Sequence, residues 1–441
     1  MKKIISIALV ALFVASTAFA GFSGDASLSL GYNFKDGSYG FSNDNSVNVN
    51  LDLSSETAEA VGEGEVVAGI KATFSVKVAN REVEGIPVLE DRLGDEIWNS
   101  ASKAIGIGTF FSVKEAYVKG ADWKVAITGT QNGPDFAKSA IDGGYTGKGK
   151  DAFGNVYYST YVPTSFSVAC NKAPGVVASF KDWKIGLGFK GVKDSYLDYH
   201  VSAFTPSITV AEGLTVKAAA IASADKSNAD NAKNYDAFGA SAQVAYASDA
   251  FSTNVAADFG MKKVATADEF KSDFDVAANV AVSVLTVDGY YNYGEKLLSA
   301  KVKADLNDLD VPVALTLTAQ DLLNKKNLSA KVSASVDAIE GALSVGYGIE
   351  SKNLSVSGSV KYAAEKFTAS AGAKFATVVD SENAKQFYVT ASVESDAIIP
   401  GATLSLTYDD PDGKTSKLNF LEGQTTVQNF GAVTATCSIA F

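Results

Sequence analysis

The sequence predicts an all-β protein: an antiparallel transmembrane β-barrel of about 22 strands, even in number, with 18 to 22 as the range that the irregular early breaks allow. Three observations predict it. From Leu214 onward, apolar and polar residues alternate, and the apolar phase carries no Asp, Glu, Lys or Arg. Aromatic pairs, Phe238 with Tyr246, Phe251 with Phe259, and Phe367 with Phe375, bracket apolar faces of one height. The connections between strands also alternate, short with long.

Each observation has a physical reason. Successive side chains of a strand point to opposite faces, so period-two alternation gives one apolar and one wettable face. A Lys or Arg on a lipid-facing wall costs about 2–4 kcal/mol near mid-bilayer, which explains why charges keep to one phase. Eight residues at ~3.3 Å each, tilted near 40°, rise roughly 20 Å, close to the ~25 Å apolar band between aromatic girdles. Short turns on one side and longer loops on the other complete the pattern of a membrane barrel.

Taken in order, residues 1–20 read as a cleaved export signal: Lys2 and Lys3, an apolar run from Ile4 to Val14, and Ala18-Phe19-Ala20 as the cleavage signature. Residues 21–441 read as one barrel. Its early strands are expected at Ala26–Phe34, Val47–Leu53, Ile70–Val78, Phe111–Val118, Trp123–Thr128, Tyr157–Cys170, Val176–Phe189 and Leu197–Val210, with breaks at Pro163, Lys181-Asp182 and Pro206. Fourteen more follow from Leu214 to the terminal strand, each with period two. With an even number of strands, both chain termini belong on the periplasmic side.

Two long connections interrupt the early strands, at 79–110 and 131–155. In the first, Leu93, Ile97, Ala101 and Ala104 fall at helical spacing behind Glu90, Asp91, Asp95 and Glu96, which predicts a helix from about Asp91 to Ala104. Leu93, Ile97 and Trp98 are poorly placed on a solvated loop, so this connection is expected to fold into the lumen and to make Glu90, Asp91, Asp95 and Glu96 the constriction residues. The Gly-rich 131–155 connection is the second candidate.

The composition narrows the function. The formal charge of −12 falls to −14 once Lys2 and Lys3 are removed, which argues against a nucleic-acid partner. Cys170 and Cys437 each sit as small strand residues; an exported chain permits a disulfide, and two separate packed thiols are the alternative. No metal-binding cysteine or histidine pattern occurs, and no cofactor is expected. Gly186-Leu187-Gly188-Phe189-Lys190-Gly191 has the dinucleotide-binding spacing, but Trp183, Ile185, Leu187 and Phe189 alternate straight through it where a helix should open. His200, with Asp198 on the same face, lacks a nucleophile and an oxyanion arrangement and reads as a wall residue, so no catalytic residues are assigned. Asp409-Asp410-Pro411-Asp412-Gly413 reads as a turn rather than a calcium loop.

The last strand alternates Val433, Ala435, Cys437 and Ile439 with Thr434, Thr436 and Ser438 and closes on Phe441. It resembles the terminal strand of bacterial outer-membrane barrels, and the resemblance implies that Val433, Cys437, Ile439 and Phe441 address the chain to the barrel-assembly machinery. The whole chain resembles outer-membrane porins. Lys114-Glu115-Ala116-Tyr117-Val118-Lys119-Gly120, Trp123-Lys124-Val125-Ala126-Ile127 and Gly133-Pro134-Asp135-Phe136-Ala137-Lys138 resemble the spirochaete (Treponema) major surface, or sheath, porins. That likeness implies an outer-membrane location among lipid, passive diffusion of ions and small hydrophilic solutes, a homotrimer, and surface loops that act as antigens or contact host molecules. A surface adhesin or structural sheath protein on the same barrel is the alternative.

The inward phase holds Lys71, Lys77, Lys124, Lys184, Lys190, Lys217, Lys301, Lys303, Lys331, Lys361 and Lys374 against Asp52, Asp258, Asp275, Asp288 and Asp305. Charges in a confined lumen act with little screening, whereas loop charges lie in salt with a Debye length near 8 Å. The lysines are therefore the expected pore lining, with a preference for anions despite the acidic chain.

Overall fold

The computed structural model describes residues 22–34, 39–41, 46–54, 62, 64–79, 106–128, 136–137, 148–150, 156–158, 175–192, 196–226, 234–376, 387–409 and 432–440, apart from positions 295, 325, 351 and 353. The wall begins with β1 (Phe22–Asn33), β2 (Ser46–Ser54), β3 (Val67–Ala79), β4 (Gly106–Lys119), β5 (Trp123–Thr128), β6 (Gly175–Phe180), β7 (Trp183–Val192) and β8 (Tyr196–Phe204). It continues with β9 (Leu214–Asp225), β10 (Tyr235–Ala247), β11 (Phe251–Val264), β12 (Lys271–Val282), β13 (Leu285–Asn292), β14 (Leu297–Asp305) and β15 (Val313–Gln320). It ends with β16 (Asn327–Val336), β17 (Ile339–Gly348), β18 (Leu354–Ala363), β19 (Thr368–Ala376), β20 (Phe387–Ile399), β21 (Ala402–Asp409) and β22 (Ala432–Ala440). Tyr39–Phe41 continues β2 along β1, and Ile208–Ala211 continues β8 along β9, so the 24 strand segments of the sheet make 22 wall strands.

Every neighbouring pair is antiparallel, and the sheet closes on itself. β22 pairs with β1 from Asp25↔Ala440 to Asn33↔Ala432, while the other edge of β1 pairs with β2. Closure leaves no row of unpaired backbone groups, the condition for a sheet to stand in hydrocarbon. Among the described residues no helix is long and apolar enough to cross a membrane, and the one helical element is a 3-10 turn at Asn307–Leu309.

The expected strand number is reached through two compensating differences. The Val176–Phe189 region is a hairpin, β6 and β7, turning at Lys181-Asp182 with Lys181 in the left-handed region at φ 49°. The expected Tyr157–Cys170 strand has no place between its neighbours, because β5 pairs directly with β6 from Trp123↔Phe180 to Thr128↔Gly175; residues 159–170 lie outside the described ones. Val156–Tyr158 instead pairs with Lys148–Lys150 in a separate two-stranded sheet within the 129–174 connection. The first long connection spans 80–105, since β4 already begins at Gly106. Its expected helix, with Glu90, Asp91, Asp95 and Glu96, lies outside the described residues.

β4 alternates poorly because it is bulged. Lys71 pairs with Glu115 and the next residue, Ala72, with Val113, which leaves Lys114 extra. The bulge switches the phase, so that Val113 points outward at one end of the strand and Val118 at the other. On the side of the chain ends, tight turns such as Ser283-Val284 and Asp337-Ala338 join the strands. Gly213 is required in its turn: its φ is +71°, and a Cβ there would stand 2.1 Å from the Ala247 carbonyl oxygen.

Aromatic residues gather at two levels of the apolar face. Near the turns of the chain-end side lie Trp123, Phe180 and Trp183, the Tyr246–Phe251 pair at 5.3 Å and the Tyr362–Phe367 pair at 6.0 Å. Toward the far side Phe274 stacks on Tyr293 at 4.9 Å, and Phe34 approaches Tyr408 at 6.4 Å. These two belts are the girdles of a membrane barrel.

Candidate functional site: the inner wall

The outward phase of the strands carries exposed Leu, Val, Ile and aromatic side chains, while the other phase carries the polar residues. Closure therefore turns the polar phase inward and surrounds the lumen with it. Val433, Cys437 and Ile439 hold the outward phase of β22, in register with Tyr32, Leu28 and Ala26, and Cys437 is a free thiol. Phe441 and Cys170 lie outside the described residues.

Lys71, Lys124, Lys184, Lys217, Lys301, Lys303, Lys331 and Lys361 all stand on the inward phase. Lys77, Lys190 and Lys374 hold inward-phase backbone positions, opposite Ser46, Asp198 and Ser357, and their side chains lie outside the described set. Most of the lysines with described side chains are engaged. Lys124 forms an ion pair with Glu115 and lies 4.7 Å from the centre of the Tyr117 ring, and Lys71 approaches that ring at 5.8 Å. Lys301 pairs with Asp288 at 3.3 Å, Lys303 with Asp305 at 2.8 Å, and Lys361 with Glu340 at 3.4 Å. Lys331 and Lys184 have no ion-pair partner among the described residues. Glu115 and Glu340 were missed as wall acids because one sits beside the β4 bulge and the other beside the turn into β17.

The lining is chemically segregated. Across β14 to β18 the inward row reads Lys303, Thr316, Lys331, Ser344 and Ser357, each opposite the next. Ser370 and Ser392 bond through their hydroxyls at 2.7 Å on the neighbouring strands. On β11 to β13 the lining is acidic, with Asp258, Asp273 and Asp275 all buried. Those carboxylates serve as acceptors: Asp275 takes the Tyr290 hydroxyl at 3.0 Å and the Asn292 amide at 2.8 Å, and Asp273 takes the same amide at 2.9 Å.

Asp258 holds a segment of another connection. Its Oδ1 accepts the backbone N–H of Phe136 at 3.0 Å and its Oδ2 that of Ala137 at 2.7 Å. The ammonium of Lys217 lies 4.4 Å from the centre of the Phe136 ring. The 129–174 connection thus reaches the inner wall at Phe136–Ala137, and two charge-assisted bonds and a cation–π contact hold it there. No local pattern in the sequence marks Asp258 as the partner of a segment more than a hundred residues away.

The two chemistry-like motifs resolve as wall. Residues 186–191 lie within β7, so no helix opens at their glycines. His200 and Asp198 are fully buried on β8, with Ser223 opposite His200. Among the described residues neither ring nitrogen of His200 nor the Ser223 hydroxyl has a hydrogen-bond partner, so the two are not coupled as a base and a nucleophile would be.

No protein-family model matches the chain, and no curated protein matches it in sequence. In overall shape it is similar to the translocation pore of the P pilus usher PapC, with a TM-score of 0.43 at 10% identity over 95% of this chain and 99% of that one. A triple mutant of the Rhodopseudomonas blastica porin gives a TM-score of 0.34 at 10% identity, over 95% of this chain and 99% of the porin. The barrel assignment stands on the strand pairing itself.

Proposed function

We propose that the protein is an outer-membrane porin: a water-filled pore through which ions and small hydrophilic solutes diffuse passively. The observation that carries this reading is a closed 22-strand wall whose outer face is apolar between aromatic belts and whose inner face is lined by Lys, Ser, Thr and Asp. An apolar exterior supports a setting in lipid, and a polar interior supports a water-filled lumen. A barrel of this strand number encloses more space than wall side chains alone can fill.

The Phe136–Ala137 segment, held by Asp258, narrows that space, and the acidic wall adjoins the lysine–hydroxyl wall where β13 pairs with β14. The arrangement favours anions on the lysine side. The purified protein in a planar bilayer tests the proposal: discrete conductance steps support it, and a folded protein that never conducts favours the adhesin or sheath role on the same barrel.

A further inference from the structure

We infer that the inner wall around Lys331 binds an oxyanion of the phosphate class, an inference that rests on the pore reading and names the solute its lysine side takes. Lys303, Thr316, Lys331, Ser344 and Ser357 follow one another across five adjacent strands. Neighbouring strands lie about 4.8 Å apart, so the Lys303 and Lys331 backbones are roughly 10 Å apart with Thr316 between them. A lysine side chain spans one such spacing, so the Lys331 ammonium is within reach of the Thr316 and Ser344 hydroxyls opposite it on the two neighbouring strands.

Lys331 is the centre because its charge is uncommitted. Lys301 and Lys303 are each paired with an aspartate, whereas Lys331 has no carboxylate partner among the described residues. Lys331 lines two cavities: one of about 470 Å³ with Lys301, Lys303, Ser, Thr, Ala and Gly and, among the described residues, no carboxylate or aromatic ring, and one of about 540 Å³ whose Glu340 is paired with Lys361. A halide uses only the positive field. An anion with several oxygens also accepts from the ammonium and hydroxyl donors, which a lysine–hydroxyl wall supplies in number. A neutral sugar finds no aromatic face to stack on and gains nothing from the unpaired ammonium.

The test is chloride current through single channels in a planar bilayer, with inorganic phosphate added to one side at constant ionic strength. Phosphate is expected to reduce the current at millimolar concentration. In Lys331→Gln the concentration for half block should rise at least about tenfold, the loss expected when one charge-assisted contact is removed. Lys366→Gln, in the β18–β19 turn, is expected to keep the block of the parent. Steps that are indifferent to phosphate, or an equal block in Lys331→Gln, overturn the inference and leave the pore intact. If no steps occur, the pore reading fails, and equilibrium dialysis of labelled phosphate against the detergent-folded barrel decides the site: binding lost in Lys331→Gln sustains it, and no binding ends it.

Discussion

Asp258 concentrates several roles in one side chain. It sits buried on the inner phase of β11, beside Asp275 in the ladder, and spends both oxygens on the Phe136 and Ala137 N–H groups. Bonds to a charged acceptor contribute about 1.5–3 kcal/mol each, so Asp258→Ala should release the segment from the wall without opening the barrel. Single-channel conductance is expected to rise in that variant; an unchanged value in a folded protein would show that the segment does not narrow the path. His200 offers a second residue-scale test. A Cβ on Gly188 would lie 2.2 Å from His200 Cε1, so Gly188→Ala should destabilise the barrel by about 1–3 kcal/mol, and adding His200→Ala should recover most of the loss. Denaturant titration of the three variants measures both effects.

At the scale of single elements, strand parity makes an adjacent-residue prediction. Leu317 is exposed on the outer face of β15, and Thr316 next to it faces inward. Leu317→Arg should cost about 2–4 kcal/mol and lower the yield of folded barrel, while Thr316→Arg should fold normally. Equal yields on a gel that separates folded from unfolded barrel would contradict the assignment of faces. The same parity explains what could be read in the sequence. From β9 onward the apolar phase runs through the middle of each strand, with breaks only toward strand ends, as at Asp236, Lys263 and the β20 bulge after Ser395, so all fourteen later strands were legible. The β6–β7 hairpin left a trace in the sequence: Phe180 and Trp183 both point outward, and an even and an odd position reach one face only through a turn or a bulge. Lys181 concealed it by adopting the left-handed conformation usually left to Gly or Asn. In the inner wall, the lysine positions followed from alternation, but their partners did not. Pairs such as Lys301–Asp288 depend on cross-strand register, and the Asp258 anchor depends on tertiary structure.

For the whole molecule, closure and connection lengths carry the account. Residues Ala432–Ala440 pair with β1 on one side and β21 on the other, so they are the seam of the barrel. Deleting them should leave two open edges and an aggregating chain rather than a smaller barrel; a soluble, heat-resistant truncated form would contradict the closure. The connections on the side of the chain ends are mostly tight turns, whereas the far side holds the 80–105, 129–174 and 410–431 segments. The far side is thus the one that presents long loops outside the cell, in the proposed orientation. The central claim is that the lumen conducts, and current through the purified, detergent-folded protein in a planar bilayer tests it most directly. The account predicts discrete steps whose reversal potential in a salt gradient shifts toward anions; a folded barrel that gives no steps at any voltage would contradict it.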